Sequence, residues 1–128
     1  MTLTKKYKVC IIEDDSSILE IYERKISQSG FEVVTAKDGE EGWNVLKKEF
    51  PDIALIDIMM PKMDGIELMK KMKEDEELSK IPVIILTNLE DYETVKKTSN
   101  LQSRFYLVKA LFNPQKVVDL IKEVLRVP

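Results

Sequence analysis

Apolar residues fall along the chain in five short runs, with helix-spaced stretches between most of them. Tyr7-Lys8-Val9-Cys10-Ile11-Ile12 is mostly apolar and β-branched, which predicts a first strand. Ile18, Leu19, Tyr22 and Ile26 then recur at helical spacing, with Asp15 or Ser16 as N-cap and Gly30 as the stop. Phe31 to Ala36 alternates and then turns apolar, a second strand that suits a sheet edge. Asp38 opens a second helix with Trp43, Leu46 and Phe50 on one stripe, and Pro51 ends it. Ile53-Ala54-Leu55-Ile56 has no polar face, as in a strand buried on both sides. Beyond Asp57, Pro61 and Gly65 break the chain into a loop, and Asp64 is placed to cap a third helix. That helix carries Ile66, Met69 and Met72 on one side and runs into the acidic stretch Glu74-Asp75-Glu76-Glu77, expected to be a solvated helix end and loop.

Pro82 to Leu86 predicts a fourth strand, ending at Thr87-Asn88. A polar stretch from about Glu90 to Ser99 predicts a short fourth helix, with only Tyr92 and Val95 for a buried side. Arg104 to Val108 predicts a fifth strand, ending at Lys109. Asn113-Pro114 is a helix start, N-cap then proline at N1, and Val117, Leu120, Ile121, Val124 and Leu125 form the last apolar stripe. Strands alternating with helices imply an α/β domain, a parallel sheet covered on both faces. Ligands of such sheets bind beyond the carboxyl ends of the strands, where strand order reverses.

Composition narrows the chemistry. The 128 residues suit one domain, 1–128, large enough for a core. Net charge is −3 with no basic block, which argues against direct nucleic-acid binding. No run approaches a membrane span and no signal peptide is visible. One cysteine, Cys10, allows no internal disulfide and suits a reducing, cytoplasmic setting. The absence of histidine removes His-based zinc sites, Ser-His-Asp and Cys-His catalysis, and a phosphohistidine in this chain.

The strand ends supply the candidate site. The first delivers Glu13 and Asp14, the third Asp57, the fourth Thr87 and the fifth Lys109. Each alone has a plain reading: Glu13-Asp14-Asp15 as capping acids, Asp57 as a loop cap. In a parallel arrangement all of them share one edge. Three carboxylates gathered there repel one another, and Lys109 offsets only one. A hard divalent cation would offset the rest, and Mg²⁺ suits so few protein ligands.

With those residues in view, the sequence resembles the receiver domains of bacterial two-component response regulators along its whole length. The matching pieces are IIEDD ending the first strand, DIMMPKMDG around Asp57, LTN at the fourth and YLVK ending at Lys109. The resemblance implies a flavodoxin-like, doubly wound fold with sheet order 2-1-3-4-5. It implies that Asp57 accepts a phosphoryl group from a sensor histidine kinase or phosphotransfer protein. Asp14, Asp57 and the Met59 carbonyl would bind Mg²⁺ directly and Glu13 through water. Thr87 would bond the phosphoryl oxygens and Lys109 would pair with them. Thr87 and Tyr106 would form the switch read by a downstream output protein or output domain, on the face of the fourth helix, fifth strand and fifth helix. Multidomain regulators of this kind continue into such a domain past the last helix, which here ends just before Pro128.

The domain would then be a phosphoacceptor that assists its own phosphorylation and dephosphorylation, and not a turnover enzyme. Three positions depart from the family pattern: Ala110 for a usual proline, Asn88 for a small residue, and Gln102 for a glycine. With alanine at 110, the Lys109–Ala110 peptide is expected to be trans, since a cis bond without proline costs roughly 2.5–4 kcal/mol. Competing readings are a degenerate receiver that binds partners without phosphorylation, a Mg²⁺-dependent aspartyl phosphohydrolase, and a flavin-binding domain. The five site residues oppose the first. Met59, where an acid would be needed to protonate a leaving group, opposes the second. Acids where a flavin phosphate needs donors oppose the third.

Overall fold

The structure is a computed structural model that describes residues 6–58, 60, 62–87, 103–108 and 113–128, with Thr87 and residues 103–108 described at the backbone level. The strands are β1 (Lys8–Ile12), β2 (Glu32–Ala36), β3 (Ile53–Asp57), β4 (Val83–Thr87) and β5 (Ser103–Val108). All neighbours pair in parallel, in the order β2-β1-β3-β4-β5. Helices α1 (Ser16–Gln28), α2 (Gly39–Glu49), α3 (Gly65–Glu74) and a C-terminal helix (Pro114–Leu125) connect or flank them, and a single 3₁₀ turn spans Leu78–Lys80. The polar stretch read as a fourth helix, together with Asn88, Gln102 and the Lys109–Ala110 peptide, lies outside the described residues.

Strand side chains alternate between faces, so each buried strand feeds two cores. Val9, Ile11, Ile53 and Leu55 meet Leu19, Tyr22 and Ile26 of α1 and Val117, Val118 and Ile121 of the C-terminal helix. Cys10, Ile12, Ala54 and Ile56 meet Leu46 of α2 and Leu68, Met69 and Met72 of α3. β1 and β3 are inner strands whose apolar residues are all buried beyond Lys8, which explains their lack of a polar face. β2 is an edge strand, with Glu32 exposed and Val33, Val34 and Thr35 half-buried.

Capping follows local sequence. Asp15, Asp38, Asp64 and Asn113 each sit in extended backbone and accept helix N–H groups through their side chains. Gly30 follows α1 at φ 98, where glycine carries no Cβ penalty. One expectation fails and another gains a detail. Phe50 does not extend the stripe of α2: it takes the left-handed C-cap, φ 44 and ψ 62, and the residue is 47% exposed. The acidic run is a solvated helix end and loop, as expected, with Glu74, Glu76 and Glu77 exposed and Asp75 half-buried among them. Asp75 accepts N–H bonds from Glu77 and Leu78 at 3.0 and 2.9 Å, and binds Lys47 Nζ at 2.7 Å. It starts the 3₁₀ turn and ties α3 to α2.

Candidate functional site

The order β2-β1-β3 puts the reversal of the chain between β1 and β3, and the acidic residues lie at the carboxyl ends of those two strands. Ile12 pairs with Ile56, so Glu13 and Asp57 follow at the same level. One carboxylate oxygen from each of Glu13, Asp14 and Asp57 falls within 4.8 Å of the others. Glu13 is fully buried, Asp57 is 3% exposed, and Asp14 faces solvent. Backbone bonds hold the arrangement. Glu13 N–H donates to the Ala36 carbonyl at 3.0 Å, and Asp15 N–H donates to Glu13 Oε2 at 3.1 Å. Ile58 N–H donates to the Leu86 carbonyl at 3.3 Å, which anchors the residue after Asp57 to β4.

Tyr22 lies buried beneath this cluster. Burial first, then the negative charges of Glu13 and Asp57, push its phenol far above the usual tyrosine range. Two unit charges 4–5 Å apart repel by about 3–4 kcal/mol at an effective dielectric of about 20. Three carboxylates at this spacing, two of them buried, are therefore a donor set for a hard divalent cation with oxygen ligands. The residues fit such an ion.

Gly65 explains how the loop after Asp57 turns back so tightly. Its N–H donates to the Ile58 carbonyl at 2.9 Å, and an added Cβ would overlap the Asp57 carbonyl oxygen. Reading Asp64-Gly65 only as a helix start misses this contact, because the neighbour it avoids, Asp57, is eight residues away. Thr87 ends β4, one residue beyond Leu86, the β4 partner of Asp57. Tyr106 lies in β5 opposite Ile85. Met59 and Lys109 lie outside the described residues.

The response regulator receiver domain profile matches residues 9–122. The chain belongs to the response regulator receiver family. It is 40% identical over 124 residues to a probable transcriptional regulator ycf27 of Guillardia theta, covering 97% of this chain and 47% of that protein. It is 31% identical to the alkaline phosphatase synthesis transcriptional regulatory protein PhoP of Bacillus subtilis, covering 93% of this chain and 48% of that one. The chain thus spans about half the length of the curated relatives it matches. Among solved structures, a putative response regulator from Chloroflexus aurantiacus superposes with a TM-score of 0.87 at 29% identity, over 95% of this chain and 99% of that one. Vibrio cholerae chemotaxis protein CheY4 gives 0.85 at 28%, over 94% and 99%. These receivers share the α/β flavodoxin-like architecture of this chain. Among the described residues no helix is long and apolar enough to cross a membrane.

Proposed function

We propose that this receiver domain is a phosphoacceptor switch, with Asp57 taking a phosphoryl group from a sensor histidine kinase or a phosphotransfer protein. The close approach of Glu13, Asp14 and Asp57 at the switch point carries the reading. Asp14, Asp57 and the Met59 carbonyl would hold Mg²⁺ directly, and Glu13 would act on it through water. When bound, Mg²⁺ neutralises charge on the carboxylates and on the transferring phosphoryl oxygens.

Asp57 sits at the end of a buried inner strand, and its carboxylate oxygen attacks phosphorus in line. The new O–P bond forms as the bond from phosphorus to the donor's imidazole nitrogen breaks, and that nitrogen keeps the bonding pair. Phosphoryl transfer asks the protein for position and charge neutralisation rather than covalent chemistry. Thr87 and Lys109 hold the phosphoryl oxygens of the product, an acyl phosphate. Thr87 and Tyr106 pass its presence to the face formed by β5 and the C-terminal helix, for a downstream output protein or output domain to read. The domain works in the cytoplasm and assists its own phosphorylation and dephosphorylation without turning over a separate substrate.

Intact mass after incubation with Mg²⁺ and a small acyl-phosphate donor tests the assignment. Wild type is expected to gain one phosphoryl group and Asp57→Asn none. Equal labelling of the two would overturn it.

A further inference from the structure

The segment joining β2 to α2 touches both chain segments that carry the acidic cluster. On one side, the Ala36 carbonyl accepts the Glu13 N–H at 3.0 Å. On the other, Asp38 Oδ2 lies 3.7 Å from Lys62 Nζ, while its Oδ1 caps α2 by accepting the Glu41 N–H at 2.8 Å. Gly39, the first residue of α2, lies directly against the loop that follows Asp57. An added Cβ there would overlap the Met63 carbonyl oxygen and stand 2.7 Å from Met63 Cβ. Gly39 has no positive φ; Gly30 is the glycine that does. The demand at Gly39 is for space, not for a backbone angle.

The loop it meets is closed on itself. Gly65 N–H donates to the Ile58 carbonyl, and the Gly65 backbone lies against the Asp57 carbonyl. A displacement at Met63 is therefore passed back to the Asp57–Ile58 peptide. α2 has little room to give way instead, because Leu46 is fully buried and Gly42 sits against the Ile12 side chain. On the loop, Lys62 stands out in solvent, 63% exposed at its side chain.

We propose that Gly39 is a positioning residue for the metal and phosphoryl site. Its missing side chain lets the start of α2 seat the loop after β3, and so sets the Asp57 carboxylate against Glu13 and Asp14. The inference rests on reading the acidic cluster as a Mg²⁺ site. It assigns to α2, which contributes no ligand, control over how well that site closes.

Gly39→Ala and Gly42→Ala, made side by side, test it. Each adds a methyl group to a tight contact, at the loop in the first and at the Ile12 side chain in the second, so both are expected to lower the urea midpoint. Mg²⁺ titration followed by amide chemical shifts separates them. Gly39→Ala is expected to bind Mg²⁺ about tenfold more weakly, and Gly42→Ala to stay near wild type. Methyl resonances of Met60 and Met63 should move in Gly39→Ala before metal is added, while those of Met69 and Met72 hold.

Wild-type affinity in Gly39→Ala, or an equal loss in Gly42→Ala, would overturn the proposal. If Gly39→Ala does not fold, Lys62→Met loosens the same seat. It is expected to weaken Mg²⁺ by about twofold, the scale of one exposed ion pair, at an unchanged urea midpoint. Wild-type affinity there, beside an unfolded Gly39→Ala, would also overturn it. Failure of the wild type to bind Mg²⁺ would instead sink the reading of the site itself.

Discussion

Phe50 pays a backbone cost that its side chain does not recover. Its N–H donates to the Leu46 carbonyl at 3.0 Å and closes α2, but φ is 44 and the residue is nearly half exposed. A bulky residue in the left-handed region costs roughly 1–2 kcal/mol, a cost that glycine avoids. Loss of the buried part of the ring offsets some of that relief. Phe50→Gly is expected to raise stability by about 0.5–1 kcal/mol in urea unfolding. A lower midpoint would show that the ring's contacts outweigh the strain. The position also explains why periodicity misplaces Phe50. It falls on the stripe's spacing, but the helix has already ended, and the left-handed turn swings the ring off that face.

At the scale of elements, α2 and α3 are joined by a polar latch above their shared core. Asp75 holds Lys47, whose Nζ lies 5.7 Å from the Trp43 ring centroid, and Lys71 Nζ lies 4.3 Å from the same centroid. The N–H bond from Leu78, then the bond from Lys47, hold the Asp75 carboxyl below the ordinary value of 3.8. A carboxyl depressed in the folded state stabilises the fold above its unfolded value, and the contribution disappears as pH falls through the folded one. The difference in unfolding free energy between wild type and Asp75→Asn should therefore be level from neutral pH down to about 5. It should shrink as pH drops through and below 3.8. Urea titrations at a series of pH values read this directly. A difference that stays constant down to pH of about 2 would contradict the linkage.

Across the whole molecule, β1 is flanked by β2 and β3 and covered by helices on both faces, so its exposure requires most of the structure to open. Cys10 reports on that opening. The thiol is buried, and burial first, then the negative charge of Glu49, pushes it up to about 12. Thiolate is the reactive form, so the folded protein should resist alkylation near neutral pH. Labelling of Cys10 by a small thiol reagent is expected to follow the global unfolding equilibrium as urea is varied. A component independent of urea would reveal local opening around β1.

Much of this architecture is written in short-range pattern. The inner strands β1 and β3 show as apolar runs because both of their faces are buried. The helix starts at Asp15, Asp38, Asp64 and Asn113 show because a capping side chain acts on N–H groups two or three residues ahead. Glu13, Asp14 and Asp57 could be placed at one sheet edge from their positions at strand ends, since parallel strands share an edge. The strand order came with the family resemblance and not from periodicity, which is blind to which strands pair.

Only the tertiary structure brings Glu13 and Asp57 to the same level on adjacent strands, 44 residues apart in the chain. It alone shows that Gly39 and Gly65 are needed for space, that Asp75 binds two helices together, and that Phe50 turns outward. Each of these depends on atoms from a segment the local sequence does not contain. Caps and periods are set by neighbours along the chain, whereas close approach, burial and charge clustering are set by neighbours across it.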